Sequence, residues 1–130
     1  MFPSRPEAWR DARAFIEAFC GAAAVGRESC LKANLVLEEL FLNTVKHGHR
    51  GGSDAPVWIG LKAQEGRIEL TYEDRAAPFN PFAPGTHDML QALAGARKEG
   101  GLGVLLAQGL TARAEYAYLF GRNRIRVVLA

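Results

Sequence analysis

The sequence contains little that could staple a small fold or bind a structural metal. Its 130 residues include only two cysteines, Cys20 and Cys30. Two cysteines at this spacing are too few for a disulfide framework, and they lack the paired spacings of a zinc site. We therefore expect both thiols to be inert and the protein to be cytoplasmic.

Long apolar runs and charge of one sign are also missing. No stretch approaches the roughly 20 apolar residues that a membrane-spanning helix needs, and the N-terminal sequence MFPSRPEAW does not read as a signal peptide. The chain has 16 basic and 14 acidic residues, and the basic ones are scattered rather than clustered. Without a basic run to follow a phosphate backbone, nucleic acid is not an expected partner, and neither is a membrane.

The apolar residues that are present follow two different periods. No repeat or linker divides the chain, so we expect a single domain over residues 1–130. Helical spacing predicts helices over 6–23 and 28–47, whereas alternation predicts hairpins over 56–74 and 114–129, the second one turning at 121–123. This order indicates an α+β fold, a two-layer sandwich with helices on one face of a mainly antiparallel sheet.

The second predicted helix, which contains LEELFLNTVKHG, has a polar row beside its apolar stripe, and the stripe consists of Ala33, Leu37, Leu40, Phe41 and Thr44. Glu39, Asn43 and His47 form this row at intervals of about one helical turn. Residues four apart have Cβ atoms roughly 5–6 Å apart, so Glu39 and Asn43 could both reach one ligand. Taken alone, the pair could equally be a surface acid and a tolerated polar residue.

A second candidate stands at the end of the strand in IELTYEDRAAPFNPF. The inward-facing alternation of Ile68, Leu70 and Tyr72 continues to Asp74, which should therefore face the core. A buried carboxylate is costly unless it is hydrogen-bonded, and the exocyclic amine of a ligand would be a suitable donor. The alternative is a turn-forming aspartate that caps the loop it precedes.

A third candidate is the glycine-rich sequence GGLG, which precedes the apolar run VLLAQGL. Glycines at the start of a helix let backbone N–H groups approach an anion such as phosphate, although flexible turns use the same residues. These glycines end a stretch over 76–103 rich in proline, glycine and alanine. We expect this stretch to be a functional loop with a short helix near 88–94.

Taken together, these motifs resemble the ATP-binding boxes of the GHKL histidine-kinase-like ATPases. The motifs are E-x3-N-x3-HG, D-x-A-x-P-F-N-P and GGLG, in that order. Within the superfamily, the chain most resembles the bacterial anti-sigma factor serine/threonine kinases. The resemblance runs from about Pro6 to the C-terminus, and FGRNRIRVV is similar to that family's last two strands.

The resemblance implies a fold of the histidine-kinase-like type, with ATP and Mg²⁺ as cofactors. It makes Glu39 the general base and Asn43 the Mg²⁺ ligand, and it places Asp74 at the adenine amine. It implies further nucleotide contacts beside Asp74 and, under a mobile lid, at the phosphates: Ala76, Pro78, Gly100, Gly101, Leu102 and Gly103.

The implied function is that of an ATP-dependent protein serine kinase in a partner-switching system. Such a kinase phosphorylates a small anti-sigma factor antagonist and sequesters a sigma factor. The alternative is a non-catalytic module that binds a protein partner in response to nucleotide. Intact Glu39 and Asn43 favour the enzyme.

Two departures from the family pattern bear on these expectations. Ala76 replaces the usual glycine of the adenine box, which would cost on the order of 1 kcal/mol if the backbone there needs a positive φ. The chain also starts close to its first helix, so the strand that usually precedes it should be very short or absent. That sheet edge would then be open to a partner strand or to a second subunit in a homodimer.

Overall fold

The computed structural model describes residues 1–48, 53–80 and 111–129. A single 3₁₀ turn (Pro6–Ala8) leads into helix α1 (Trp9–Ala22), and helix α2 (Arg27–Asn43) continues as a π-helical turn (Thr44–Gly48). The described strands are β1 (Phe2–Pro3), β2 (Pro56–Gln64), β3 (Arg67–Asp74), β4 (Thr111–Leu119) and β5 (Arg122–Leu129).

The described strands form one antiparallel sheet in the order β1-β2-β3-β5-β4. Helix α1 packs against β2, and α2 packs against β3 and β5. The expected α+β class, with two helices packed against a mainly antiparallel sheet, is confirmed. Strand β5 lies between β3 and β4, and this position brings its first residues beside the last residues of β3.

The core lies between the two layers. Helix α2 contributes its predicted stripe, in which Ala33, Leu37, Leu40 and Phe41 are all buried. The sheet contributes the inward-facing residues of its central strands, namely Ile68, Leu70, Tyr72, Ile125, Val127 and Leu129. Within the described ranges, no helix combines the length and the apolar character that crossing a bilayer requires.

Both cysteines belong to this core and are free thiols. Burial, together with the neighbouring Cys20, raises the pKa of the Cys30 thiol to about 12. A thiol that stays protonated is a poor nucleophile, which agrees with the inert role expected for these residues.

Several predicted boundaries were wrong. The second hairpin begins at Thr111 and not at residue 114. The second hairpin turns at Phe120 and Gly121, where φ is 52° and 76°, and not at residues 121–123. Two successive positive φ angles are typical of a two-residue hairpin turn, so Arg122 and Asn123 are already part of β5. The α-helix also ends at Asn43, because the backbone widens into the π-helical turn there instead of continuing to His47.

The strand before the first helix is very short, as expected. Strand β1 has two residues, and it pairs Phe2 with Val57 and Pro3 with Pro56. From Trp58 onward, β2 has no strand partner on this side among the described residues. Pairing of this edge with a partner strand or a second subunit remains a prediction.

Candidate functional site

A cavity of about 140 Å³ lies between the end of α2 and the inner face of the sheet, where β3 ends and β5 begins. Five elements meet here: α2, the π-helical turn, strands β3 and β5, and the loop that follows β3. The described residues that line the cavity are Leu40, Asn43, Thr44, Tyr72, Asp74, Ala76, Ala77, Pro78, Phe79, Asn123 and Ile125. Four of the predicted site residues therefore share one cavity, namely Asn43, Asp74, Ala76 and Pro78.

Asp74 is the most deeply embedded charge in this cavity. It faces the core as its position in β3 predicted, and it is only 7% exposed. Its Oδ2 accepts a hydrogen bond from Thr44 Oγ1 at 2.7 Å, and its Oδ1 accepts from Asn123 Nδ2 at 2.9 Å and from the Ala76 amide at 3.1 Å. Because an ionised carboxylate can accept about four hydrogen bonds, these three donors leave room for about one more.

The two interpretations of Asp74 turn out to be compatible. The bond from the Ala76 amide is the local turn that an aspartate forms with the residue two positions on. The same carboxylate also lines the cavity. No cationic side chain pairs with Asp74 within the ranges that the structure describes, so its charge is held by neutral donors.

Thr44 and Tyr72 form a hydrogen-bonded chain that leads to Asp74. The Tyr72 hydroxyl contacts Thr44 Oγ1, and burial raises the pKa of Tyr72 well above its ordinary value, with Asp74 raising it further. Tyr72 therefore stays protonated and can donate to Thr44, whose single proton has two acceptors within reach, Asp74 Oδ2 at 2.7 Å and Leu40 O at 3.1 Å. Thr44 was predicted only as part of the apolar stripe, because its spacing alone gives no sign of a polar role.

Sequence reasoning missed Asn123, which lies directly opposite Asp74 in the β3–β5 register and is 3% exposed. Its Nδ2 also lies 3.0 Å from Ala76 O and 3.1 Å from Ala77 O. Its Oδ1 accepts from the Phe79 amide at 3.0 Å and from the Tyr116 hydroxyl. The signal was present in the sequence, because Asn123 continues the inward alternation of β5 just as Asp74 continues that of β3.

The Asn43 side chain lines the cavity from the helix side. Its Nδ2 is buried and has no hydrogen-bond partner among the described residues. A buried N–H donor in a cavity wall, with no acceptor among the described residues, fits a group that donates to an oxygen of a bound ligand. Glu39, one turn earlier on α2, is partly exposed and does not belong to the cavity lining.

The side chains at the cavity offer few ligands for a divalent cation. No group of three His, Cys, Asp or Glu side chains that could hold a metal occurs in the described part of the chain. Mg²⁺ commonly uses few protein ligands, because it keeps several waters and takes further oxygens from substrate phosphates. A single cavity-lining carboxamide such as Asn43 fits this mode of binding.

The departure at Ala76 carries no backbone cost here. The non-glycine residues with positive φ in the described ranges are Ala24, Glu65 and Phe120. Because Ala76 is not one of them, the condition for the expected penalty of about 1 kcal/mol is not met.

The predicted glycine motif, Gly100, Gly101, Leu102 and Gly103, lies outside the described residues. The same holds for the short helix expected near 88–94. Phosphate binding at these residues therefore stays a prediction.

The outer face of the same strands carries a different polar cluster. Glu73 accepts a hydrogen bond from Arg124 at 2.7 Å and one from Arg122 at 3.1 Å. Burial alone would raise the pKa of Glu73, but the two arginines outweigh it and lower this pKa. The Arg122 guanidinium also lies 3.7 Å from the centre of the Trp58 ring. The negative charge of Glu73 is thus neutralised by side chains of the protein.

The two-layer architecture and the polar cavity between its layers fit an ATP-binding domain of the histidine-kinase-like type. The family model for the histidine kinase-like ATPase domain matches residues 2–129, so the chain belongs to this family. Domains of this family bind ATP, usually with Mg²⁺. No curated protein matches the chain.

Proposed function

We propose that the chain is an ATP-dependent protein serine kinase that acts as an anti-sigma regulatory factor and phosphorylates a small anti-sigma factor antagonist. The main support for an ATP site is Asp74, a buried carboxylate that is bound by neutral donors and has about one acceptor position left. Family membership supports nucleotide binding. The kinase role rests on the resemblance of the Glu39 and Asn43 motif to that of the anti-sigma factor kinases.

In this proposal the adenine base enters the cavity beside the loop at 76–79. Its exocyclic amine donates to Asp74, and because the acceptor is charged, the bond is stronger than one between neutral groups. The apolar part of the lining, including Leu40, Pro78 and Ile125, covers the faces of the base. Charge and shape together would select a planar ligand with an amine at its edge.

The triphosphate extends from the cavity toward the end of α2. Asn43 would hold Mg²⁺ through its side-chain oxygen, and the cation would supply neutralisation of the phosphate charge. Backbone N–H groups at Gly101 and Gly103 bind phosphate oxygens. These roles require positioning and neutralisation of charge more than covalent chemistry by the protein.

Glu39 is the proposed general base. It lies one turn before Asn43 on the same edge of α2, outside the adenine cavity. A carboxylate there would accept the proton of the serine hydroxyl of the antagonist as that oxygen attacks the γ-phosphorus, while the bond from the γ-phosphorus to the β,γ-bridging oxygen breaks and ADP leaves. Proton transfer of this kind contributes roughly 10²–10⁴ to the rate.

The test measures transfer of labelled γ-phosphate to a serine-bearing partner co-purified from the native host, beside ATP binding by calorimetry. Glu39→Gln should keep ATP affinity while transfer falls by roughly 10²–10⁴. Asn43→Ala should weaken Mg²⁺-dependent ATP binding itself. Glu38→Gln is the matched control, since Glu38 is the adjacent glutamate but is exposed. Transfer by Glu39→Gln at the wild-type rate would exclude Glu39 as the base.

The position of Glu39 outside the cavity lining also favours a second candidate function. A non-catalytic module would bind nucleotide through Asp74 and regulate a partner by sequestration, with no need for a base. In that case the wild type would bind ATP but transfer no phosphate to any partner that it retains. Glu39→Gln would then change at most the partner affinity.

A further inference from the structure

We propose that Asn123 is a positioning residue that holds the adenine cavity in its binding form before nucleotide arrives. It does so by tying the loop at 76–79 to Asp74. This inference rests on the proposed function in one respect, namely that Asp74 receives the adenine amine. The hydrogen bonds that join Asn123 to the loop are present in the protein without ligand, and their effect on the loop can be measured separately.

The hydrogen bonds of Asn123 are fully committed within the protein. Its Nδ2 has two protons and three acceptors within reach, namely Asp74 Oδ1 at 2.9 Å, Ala76 O at 3.0 Å and Ala77 O at 3.1 Å. Its Oδ1 has two lone pairs and two donors, the Phe79 amide and the Tyr116 hydroxyl. No capacity is left for a ligand, so Asn123 acts on nucleotide through Asp74 and the loop.

The loop depends on these side-chain bonds. Residues 75–80 belong to neither a helix nor a strand. Among the described residues, no backbone–backbone hydrogen bond fixes this segment. Within residues 76–79, the hydrogen bonds to the sheet are the three from Asn123, the bond between the Ala76 amide and Asp74, and a bond from the Phe79 amide to the Tyr116 hydroxyl at 3.1 Å. Asn123 therefore makes most of the hydrogen bonds that the described residues show between 76–79 and the sheet.

Asn123 is well placed to be rigid. It is 3% exposed, and it stands in regular antiparallel register with Asp74 between two strands that both have a neighbour on either side. A side chain fixed by strand pairing transmits that order to the loop. Preorganisation of this kind improves affinity, because the loop loses less freedom when the ligand binds.

Two substitutions separate the donor role of Asn123 Nδ2 from the acceptor role of its Oδ1. Asn123→Ala removes every bond, so the loop at 76–79 should loosen and the Kd for ATP should rise about tenfold or more. Asn123→Asp has nearly the same shape and keeps the oxygen that accepts from the Phe79 amide, but it loses the donor and sets a second carboxylate beside Asp74. The Phe79 amide should therefore keep its hydrogen bond in this variant. The affinity for ATP at neutral pH should nevertheless fall at least as much as in the alanine variant.

The experiment combines amide hydrogen exchange by NMR on the ligand-free protein with calorimetric titration of Mg²⁺-ATP. In Asn123→Ala the Phe79 amide should exchange about tenfold faster or more, whereas in Asn123→Asp it should stay protected. Arg124→Ala is the matched control, since Arg124 is the next residue of β5 but binds Glu73 on the outer face. It should change neither the exchange of Phe79 nor the Kd for ATP. If the alanine variant does not fold, the nearly isosteric Asn123→Asp decides the question through its Kd.

The outcomes separate the inference from the proposed function. Exchange of Phe79 in Asn123→Ala at the wild-type rate, or ATP affinity within twofold of wild type in a folded variant, would overturn the role of Asn123. Failure of the wild type to bind ATP while Phe79 still responds to the substitution would instead overturn the proposed function and leave the tie established.

Discussion

Glu73 and Asp74 are consecutive residues of one strand, yet they solve the problem of a buried carboxylate in opposite ways. Glu73 points to the outer face and is paired with Arg122 and Arg124. Asp74 points to the inner face and is bound by Thr44, Asn123 and a backbone amide, all of them neutral. Both groups are hydrogen-bonded, but only one has its charge neutralised by a side chain of the described residues.

The difference shows that two neighbouring residues of one strand can have different roles, because their side chains lie on opposite faces of the sheet. A carboxylate that is satisfied by two arginines has little to gain from an external ligand. A carboxylate that is oriented by neutral donors keeps both its charge and a free acceptor position in a cavity. We therefore expect Glu73 on the outer face to be replaceable without loss of ATP binding, whereas replacement of Asp74 on the inner face should weaken it.

The largest effect is expected for Asp74→Asn. Loss of the charged acceptor should weaken the binding of ATP by roughly 1.5–3 kcal/mol, which is about 10- to 150-fold in Kd. Isothermal titration calorimetry with Mg²⁺-ATP measures this directly. The control is Glu73→Gln, the same chemical change one residue earlier, which should bind ATP like the wild type. Equal losses in the two variants would refute the division between the faces.

Thr44→Val should follow in size, with a loss of stability of about 1–3 kcal/mol. The change keeps the shape of the side chain but leaves the buried Tyr72 hydroxyl without its acceptor and deprives Asp74 of one donor. Urea unfolding measures the loss. Adding Tyr72→Phe should recover part of it, because both members of the bond are then absent. A double variant no more stable than Thr44→Val would contradict the hydrogen-bonded chain.

Glu73→Gln should cost at most about 1 kcal/mol, because both arginines are more than a third exposed and solvent screens the pair. The pKa of Glu73 is lowered in the folded state. Its contribution should thus be complete above the unfolded pKa, near 4.3, and should disappear as the pH falls through the lower folded value. Urea unfolding at pH 7 and pH 3 tests this, and an equal difference at both pH values would contradict it.

Ala76→Gly should have the smallest effect. Since φ at Ala76 is not positive, glycine should relieve no strain, and added freedom in the unfolded chain should lower stability by about 0.4–1 kcal/mol. ATP affinity should change less than twofold. Thermal unfolding and calorimetry measure the two quantities. A marked gain in affinity would mean that bound nucleotide demands a backbone conformation absent from the free protein.

Most of the fold could be predicted from the sequence because its signals are local. Strands β2 and β3 alternate cleanly on both sides of a glycine turn, and their predicted ends match the structure. The second hairpin was misjudged because Gly121 suggested a turn centred on itself and the next two residues. The turn instead places Phe120 in a left-handed conformation that a large residue rarely adopts.

The candidate site was predictable only where a single element reveals it. Asp74 and Asn43 could be found from the periods of one strand and one helix. The roles of Thr44 and Asn123 depend on side chains brought together over long sequence distances, since Asn123 and Asp74 are 49 positions apart. Periodicity shows which face such residues occupy, but not what lies opposite them.

The position of β5 has a consequence for the order in which the protein is made. Strand β5 fills the centre of the sheet, between β3 and β4, but it is the last of the described strands to leave the ribosome. At about 5–20 residues per second, β3 would wait roughly 2.5–10 s for its partner, with one long edge unpaired. The cavity wall made by Asp74 and Asn123 does not exist during that interval. A ligand of this cavity can therefore act on the sheet only after β5 has been made, when the pairing of β3 with β5 completes the binding wall.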